Sequence, residues 1–269
     1  MLRIVAIGLA AVALLGAAPA PRDWRPLDRD NTLVIETSKG RIVVELRPDL
    51  APQGVARIKL LAREGVYDGL LFHRVIDGFV DQTGNPNNKD GGVSSHPDLP
   101  PEFSFRLPAS AARVVVSRGD AQEGFVGATP FQGVSAAEQA LGTDRRLRAW
   151  GAYCSGVMGM GRQADPGSAN SEIFFMRAPA RRLDHDYTVV GRAVVGLDVV
   201  RAVAIGEPPS SPDRMLKVRV AADLPKAEQP RIEVMDERGP AFARRVSALR
   251  RARGAAFSVC DVEVPARTR

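Results

Sequence analysis

Arg74, Phe79 and Gln82 stand close together in LFHRVIDGFVDQTGNP, residues 71–86, with glycines at 78 and 84. A guanidinium stays charged near neutral pH and presents a rigid fork of donors, so this trio suits charge stabilisation beside an apolar surface better than proton transfer. An acid–base reading of His73 starts weak, because no obvious nucleophile or carboxylate partner accompanies it. Two other constellations carry less. Met158-Gly159-Met160-Gly161 lacks the strand-to-helix cradle of a phosphate loop. Asp184-His185-Asp186 has the atoms of a metal site, but adjacent residues point apart on extended backbone and read as a solvated loop. Taken singly, Phe79, Phe174 and Leu183 read as sheet core, Arg74 as a surface ion-pair partner and Tyr187 as a cap with its hydroxyl in water.

The elements that must position these residues are mostly strands. TLVIET (32–37) and RIVVEL (41–46) alternate around Ser38-Lys39-Gly40, a hairpin signal. PQGVARIKLLAREGVYDG (52–69) places Val55, Ile58, Leu61 and Ala62 on one helical face, with Gly65 as the stop. Further strands are expected at 72–76, 79–82, 114–117, 156–160, 173–176, 188–194 and 216–221. Many short strands with few helices predict a mainly β protein built on a closed antiparallel barrel.

Composition narrows the setting. The 269 residues suffice for one sizeable core, and 45% hydrophobic content argues against wholesale disorder. The formal charge of +6 is spread along the chain instead of forming a block, so it reads as a surface property and does not demand nucleic acid. MLRIVAIGLAAVALLGAAPA (1–20) has one early positive charge, a short apolar run and small residues at its end, the layout of a secretory signal peptide. Pro21 blurs the cleavage point, and an uncleaved anchor is the alternative. Cys154 and Cys260 admit either one disulfide or two separate buried thiols.

Three segments in order, FHRVIDGFVDQTGNP, GVMGMGRQADPGSANSEIFF and RRLDHDYTVVGRAVVGLDVV, resemble the signatures of the cyclophilin family of peptidyl-prolyl cis-trans isomerases. The resemblance covers about 32–223. It implies an eight-stranded barrel capped by two helices, the second at 197–204, with the active groove on the barrel's outer face. By the same matching Arg74 is the catalytic arginine. Phe79, Val80, Met160, Phe174, Leu183 and Tyr187 form the socket for a proline ring, Gln82 bonds the substrate backbone, and Gly161, Arg162 and Glu172 lie along the groove. Rotating an Xaa-Pro bond means breaking amide resonance against a barrier of about 18–20 kcal/mol, with no covalent intermediate required. A fixed donor aimed at the prolyl nitrogen stabilises the lone pair that appears only in the twisted state.

The chain departs from the family pattern in places. Glu172 stands where many members have glutamine, Arg182 where a tryptophan or phenylalanine is common, and Tyr187 where histidine is common. Glu172 is expected either to pair with Arg74 or to favour basic peptides. These changes leave rate, peptide preference and cyclosporin-type binding open.

The expected domains are a signal peptide at 1–20, a cyclophilin-like isomerase at 30–223 with an insertion at about 118–150, and a small α+β appendage at 226–269. The insertion is either a functional lid or a packed excursion over a barrel edge. The appendage reads as strand RIEVMD, then helix PAFARRVSALRRARG with Phe242, Val246 and Leu249 on one face, then strand FSVCDVEV. That apolar stripe is expected to cover the outside of the barrel away from the groove. The expectation is a secreted or periplasmic isomerase acting on proline-containing segments of unfolded or exposed polypeptides. It needs no cofactor and no metal, and neither nucleic-acid binding nor lasting membrane insertion is expected. The alternative is a noncatalytic proline-peptide module or holdase.

Overall fold

Alternation along the strands leaves both faces of the main sheet apolar, and each finds its own cover. The computed structural model describes residues 22–269 except Asp90 and Arg145, so the expected signal segment lies outside the described residues. In chain order the elements begin with β1 (Trp24–Pro26), β2 (Thr32–Thr37), β3 (Gly40–Leu46), α1 (Pro52–Arg63), β4 (Arg74–Ile76) and β5 (Val80–Thr83). Next come β6 (Phe105–Pro108), β7 (Arg113–Ser117), β8 (Ala121–Val126), β9 (Thr129–Val134), α2 (Ala136–Ala140) and β10 (Arg146–Gly151). The chain continues with β11 (Val157–Met160), β12 (Ile173–Met176), β13 (Val189–Val195), α3 (Leu197–Ala202) and β14 (Met215–Val220). It ends with β15 (Ile232–Met235), α4 (Pro240–Arg253) and β16 (Ala266–Thr268).

Eight strands form one antiparallel sheet in the order β14-β2-β3-β13-β11-β12-β5-β4. The closed barrel expected from the sequence is corrected to a curled half-barrel. Its edges β14 and β4 join through no continuous ladder, and the isolated bridges Leu71–Arg214 and Val75–Gly206 span the seam. The chain facing β4 at this seam carries Pro208, Pro209 and Pro212, which have no N–H to donate to a ladder. Inside the curl lie Leu33, Ile35, Ile42, Val44, Phe72, Met158 and Phe175, and α1 closes one side with the expected Val55, Ile58, Leu61 and Ala62. Val200 of α3 joins the same core.

The region expected as an insertion is part of a sheet of its own. That five-stranded sheet, β6-β10-β9-β8-β7, begins at Phe105 and ends at Gly151. A third sheet, β1-β15-β16, ties the segment before the half-barrel to the tail. Segment 257–264, expected as a strand, contains a 3-10 turn at Val259–Asp261 instead. Ser258 Oγ accepts from Cys260 N, and Asp261 accepts from Ser258 N at 2.8 Å, a capping box that competes with ladder pairing. Cys260 is bonded to Cys154, with 5.0 Å between their α-carbons. The expected stripe of α4 is inward, with Phe242 fully covered in a cluster that holds residues of both the half-barrel's outer face and the insertion. Phe242 packs edge-on against Phe125 of β8 at 5.4 Å, and Arg250 donates to the Val115 carbonyl of β7.

Asp81 points away from the groove strands' outer face and is fully buried, with Arg177 Nη1 2.9 Å from its Oδ1. Burial outweighs the arginine and pushes this carboxyl up from 3.8 to about 7. An acid whose folded pKa is raised favours folding most below its ordinary titration range, and that contribution is lost as pH rises through about 7. Thermal midpoints should therefore fall across this window more steeply in the native protein than in Asp81→Asn, which keeps an acceptor for Arg177. Parallel curves for the two proteins would remove the assignment. Separately, Phe242→Ala should cost about 3–5 kcal/mol in denaturant unfolding, because it empties a filled aromatic site. Arg244→Ala on the exposed face of α4 should stay within about 0.5 kcal/mol, and equal effects at both positions would show that the docked face is misassigned.

Candidate active site

The groove is built where β4, β5, β11 and β12 present their outward residues. On β5 the alternation sends Val80 and Gln82 outward and Asp81 inward, and pairing with β4 sets Arg74 directly opposite Gln82. On the other side β12 places Phe174 opposite Gln82. Arg74, Phe79, Val80, Gln82, Gly161, Arg162, Glu172, Phe174, Leu183 and Tyr187 line one cavity of about 230 Å³.

Met160 is the exception among the expected residues. Its side chain is 1% exposed and belongs to the interior of the half-barrel, packed near Gly54 of α1. Strand β11 turns Met158 and Met160 inward and Gly159 outward, so the methionine supports the groove from beneath. A side chain at Gly159 would collide with Phe174 and the Tyr153 hydroxyl, and one at Gly161 with the Glu172 carboxylate. Glycine at these two positions lets the groove wall approach the strand closely.

The polar groups form a connected row. Arg74 Nε donates to Glu207 Oε2 at 2.7 Å, and Arg74 Nη1 donates to the side-chain carbonyl of Gln82. The Gln82 amide donates in turn to Glu172 Oε1 at 2.9 Å. The expected direct pair between Glu172 and Arg74 is replaced by this relay. His73 Nε2 lies 3.6 Å from Glu172 Oε2, so the carboxylate faces the protein on two sides. Arg74 Nη2 has no acceptor among the described residues, while its cation is held by Glu207 at the solvent edge.

The apolar wall is a set of stacked rings. Tyr187 meets Phe174 edge-on at 5.8 Å, and Tyr153 lies beneath Phe174 at 5.6 Å. Tyr153 is fully buried, and burial pushes its hydroxyl well above the usual range, so it serves as floor and does not ionise. Arg162 lies over the Tyr187 ring at 4.6 Å, and Arg182 lies over the Phe79 ring at 4.2 Å. The arginine that replaces a common aromatic thus still covers Phe79, by cation–π contact.

A 3-10 turn, Arg181–Leu183, carries Leu183 and Arg182, and the insertion holds it. Arg181 pairs with Glu123 of β8 at 2.8 Å, donates to Gln132 of β9, and reaches Asp184 at 2.5 Å. Asp184 also accepts from Tyr153 N at 2.9 Å, and His185 lies on Trp150 of β10 with 4.0 Å between ring centroids. The Asp184-His185-Asp186 segment is therefore partly anchored, which corrects its reading as a solvated loop. Glu207, Tyr153 and the bracing residues Glu123 and Gln132 escape sequence reasoning. Glu207 is 133 residues from Arg74, in a proline-rich segment with no periodicity to point at the groove.

Residues 32–220 match the family model for the cyclophilin type peptidyl-prolyl cis-trans isomerase/CLD. Over 235 residues the chain is 34% identical to a probable peptidyl-prolyl cis-trans isomerase of Brucella suis, covering 81% of this chain and 92% of that protein. It is 30% identical over 193 residues to the peptidyl-prolyl cis-trans isomerase ppi1 of Schizosaccharomyces pombe, covering 71% and 97%. The crystal structure of cyclophilin AquaCyp293 from Hirschia baltica superposes with a TM-score of 0.83 at 33% identity, covering 91% of this chain and 92% of that one. The likeness to the Hirschia protein thus extends past residue 220 or before residue 32, into segments outside the family match. Because that match runs through every strand of the half-barrel bearing the groove, the chain belongs to the cyclophilin-type peptidyl-prolyl cis-trans isomerases.

Proposed function

We propose that this groove binds Xaa-Pro segments of exported polypeptides and that Arg74 lowers the barrier to rotation about their prolyl bonds. The observation that carries the reading is the meeting of a half-buried arginine, an amide and an aromatic floor in one cavity of about 230 Å³. In the twisted state the prolyl nitrogen regains a lone pair, and a donor already in place stabilises that state more than the planar ones. Arg74 is suited to this, since Glu207 and Gln82 fix two of its donor groups and Nη2 is left for the substrate. Phe79, Val80, Phe174, Leu183 and Tyr187 receive the proline ring. Gln82 and the main chain at Gly161 and Arg162 hold the flanking peptide, and Glu172 orients the Gln82 amide. None of these steps moves a proton or forms a covalent bond.

Export is part of the same proposal. It is supported by the leader-like segment at 1–20 and by the Cys154–Cys260 disulfide, a bond that persists in oxidising compartments. The setting is thus the periplasm or the outside of the cell, and the substrates are proline-containing stretches of unfolded or exposed chains there.

Arg74→Ala should lower kcat/KM on a short Xaa-Pro peptide by about 10²-fold, the usual worth of one preorganised donor. Circular dichroism should be unchanged and peptide binding should fall much less. Undiminished turnover in a folded Arg74→Ala protein would overturn the arginine's role, and native protein that binds peptide without turnover would favour a holding module. For export, protein recovered from its producing cell should lie outside the cytoplasm and begin near residue 21. Recovery from the cytoplasm with the leader intact would reject the compartment.

A further inference from the structure

We infer that Arg182, together with Arg162, makes this groove select peptides that carry an acidic side chain beside the proline. The inference rests on the reading of the groove as a peptide site. Glu172 alone suggests the opposite preference, but its carboxylate is engaged by Gln82 at 2.9 Å, lies near His73, and is 12% exposed. The charge of Arg74 is answered by Glu207 at 2.7 Å.

The two arginines on the aromatic wall differ from these. Among the described residues Arg162 donates only to main-chain oxygens, those of Asp186 at 3.0 Å, Gln163 at 2.9 Å and Ala164 at 3.4 Å. Arg182 is exposed and makes no hydrogen bond or ion pair among the described residues, and its guanidinium rests 4.2 Å from the centroid of the Phe79 ring. A cation over a ring keeps its charge and its outward donors while losing freedom to swing away. Both rings, Phe79 and Tyr187, line the cavity, so both cations stand at the groove instead of elsewhere on the surface.

The turn that carries Arg182 is itself held. Its neighbour Arg181 is locked between Glu123, Gln132 and Asp184, which leaves Arg182 as the residue of that pair whose charge is open to a ligand. A peptide lying with its proline on Phe79 and Phe174 brings its flanking side chains past these cations. Aspartate or glutamate there gains an ion pair, and lysine or arginine meets repulsion.

The test uses three peptides with one Xaa-Pro core and glutamate, alanine or lysine flanking it, measured for kcat/KM and by calorimetric binding at low and high salt. The native protein should prefer the acidic over the basic peptide by about twofold to fivefold at low salt, the range of exposed ion pairs. Salt should erase the preference by screening. Arg182→Gln should shrink the ratio, and Arg182→Glu should invert it toward lysine. Each readout is a ratio within one protein, so a general loss of activity does not move it. A ratio near one in the native protein at low salt, or one unaltered in Arg182→Glu, would overturn the inference. If the alanine peptide is turned over but no charge preference exists, the isomerase groove stands and the selectivity falls. If it binds without turnover, the catalytic reading falls, and the calorimetric ratio still decides the selectivity.

Discussion

The period of two along a β-strand governs this molecule, because the main sheet has apolar residues on both faces and each must be covered. The inner face closes on itself around Leu33, Ile42, Met158 and Phe175 under α1. The outer face is continuous from Val80 and Phe174 to Val43, Val157 and Val189, and the insertion and the tail contribute Phe125, Phe242 and Val259 to the same cluster. The groove is the part of that outer face left open. Its aromatic floor is thus the uncovered margin of a second core, with Tyr153 fully buried beneath Phe174.

A row of polar groups crosses this apolar margin. Glu207, Arg74, Gln82 and Glu172 are joined by hydrogen bonds in sequence, each group orienting the next. Partial burial strengthens such a row and fixes the arginine's geometry before substrate arrives. Under the proposed role, a freely swinging arginine would have to be ordered during the reaction, which would diminish its stabilisation of a twisted amide.

The insertion and the tail act on the groove at second hand. Glu123 of the insertion takes Arg181 from the groove-side turn and also accepts from Val259 N of the tail at 3.3 Å. The disulfide fastens that part of the tail next to Tyr153, the ring beneath Phe174. Insertion, tail and groove wall thereby share one network, and the insertion behaves as a packed brace. The same arrangement explains why Arg182 is exposed with no ion pair among the described residues while Arg181 is held.

Much of this was legible in the chain because it is local. The hairpin of β2 and β3, the buried face of α1 and the strands β12 and β14 follow from period and composition within short windows. The order of Arg74, Phe79, Gln82 and Phe174 marked the groove, since residues on two paired strands meet once alternation is assigned. Tertiary structure alone decided the rest. Val157–Met160 is apolar throughout, so alternation has no polar residue to set its phase, and only packing against α1 sent Met160 inward. The pairing of Cys154 with Cys260 spans 106 residues, and the Arg74–Glu207 contact spans 133, distances over which periodicity carries no information. The half-barrel stays open for a reason that needs both edges at once: prolines in the segment facing β4 lack the donors a ladder requires, and nothing in β4 itself tells that this segment will lie beside it.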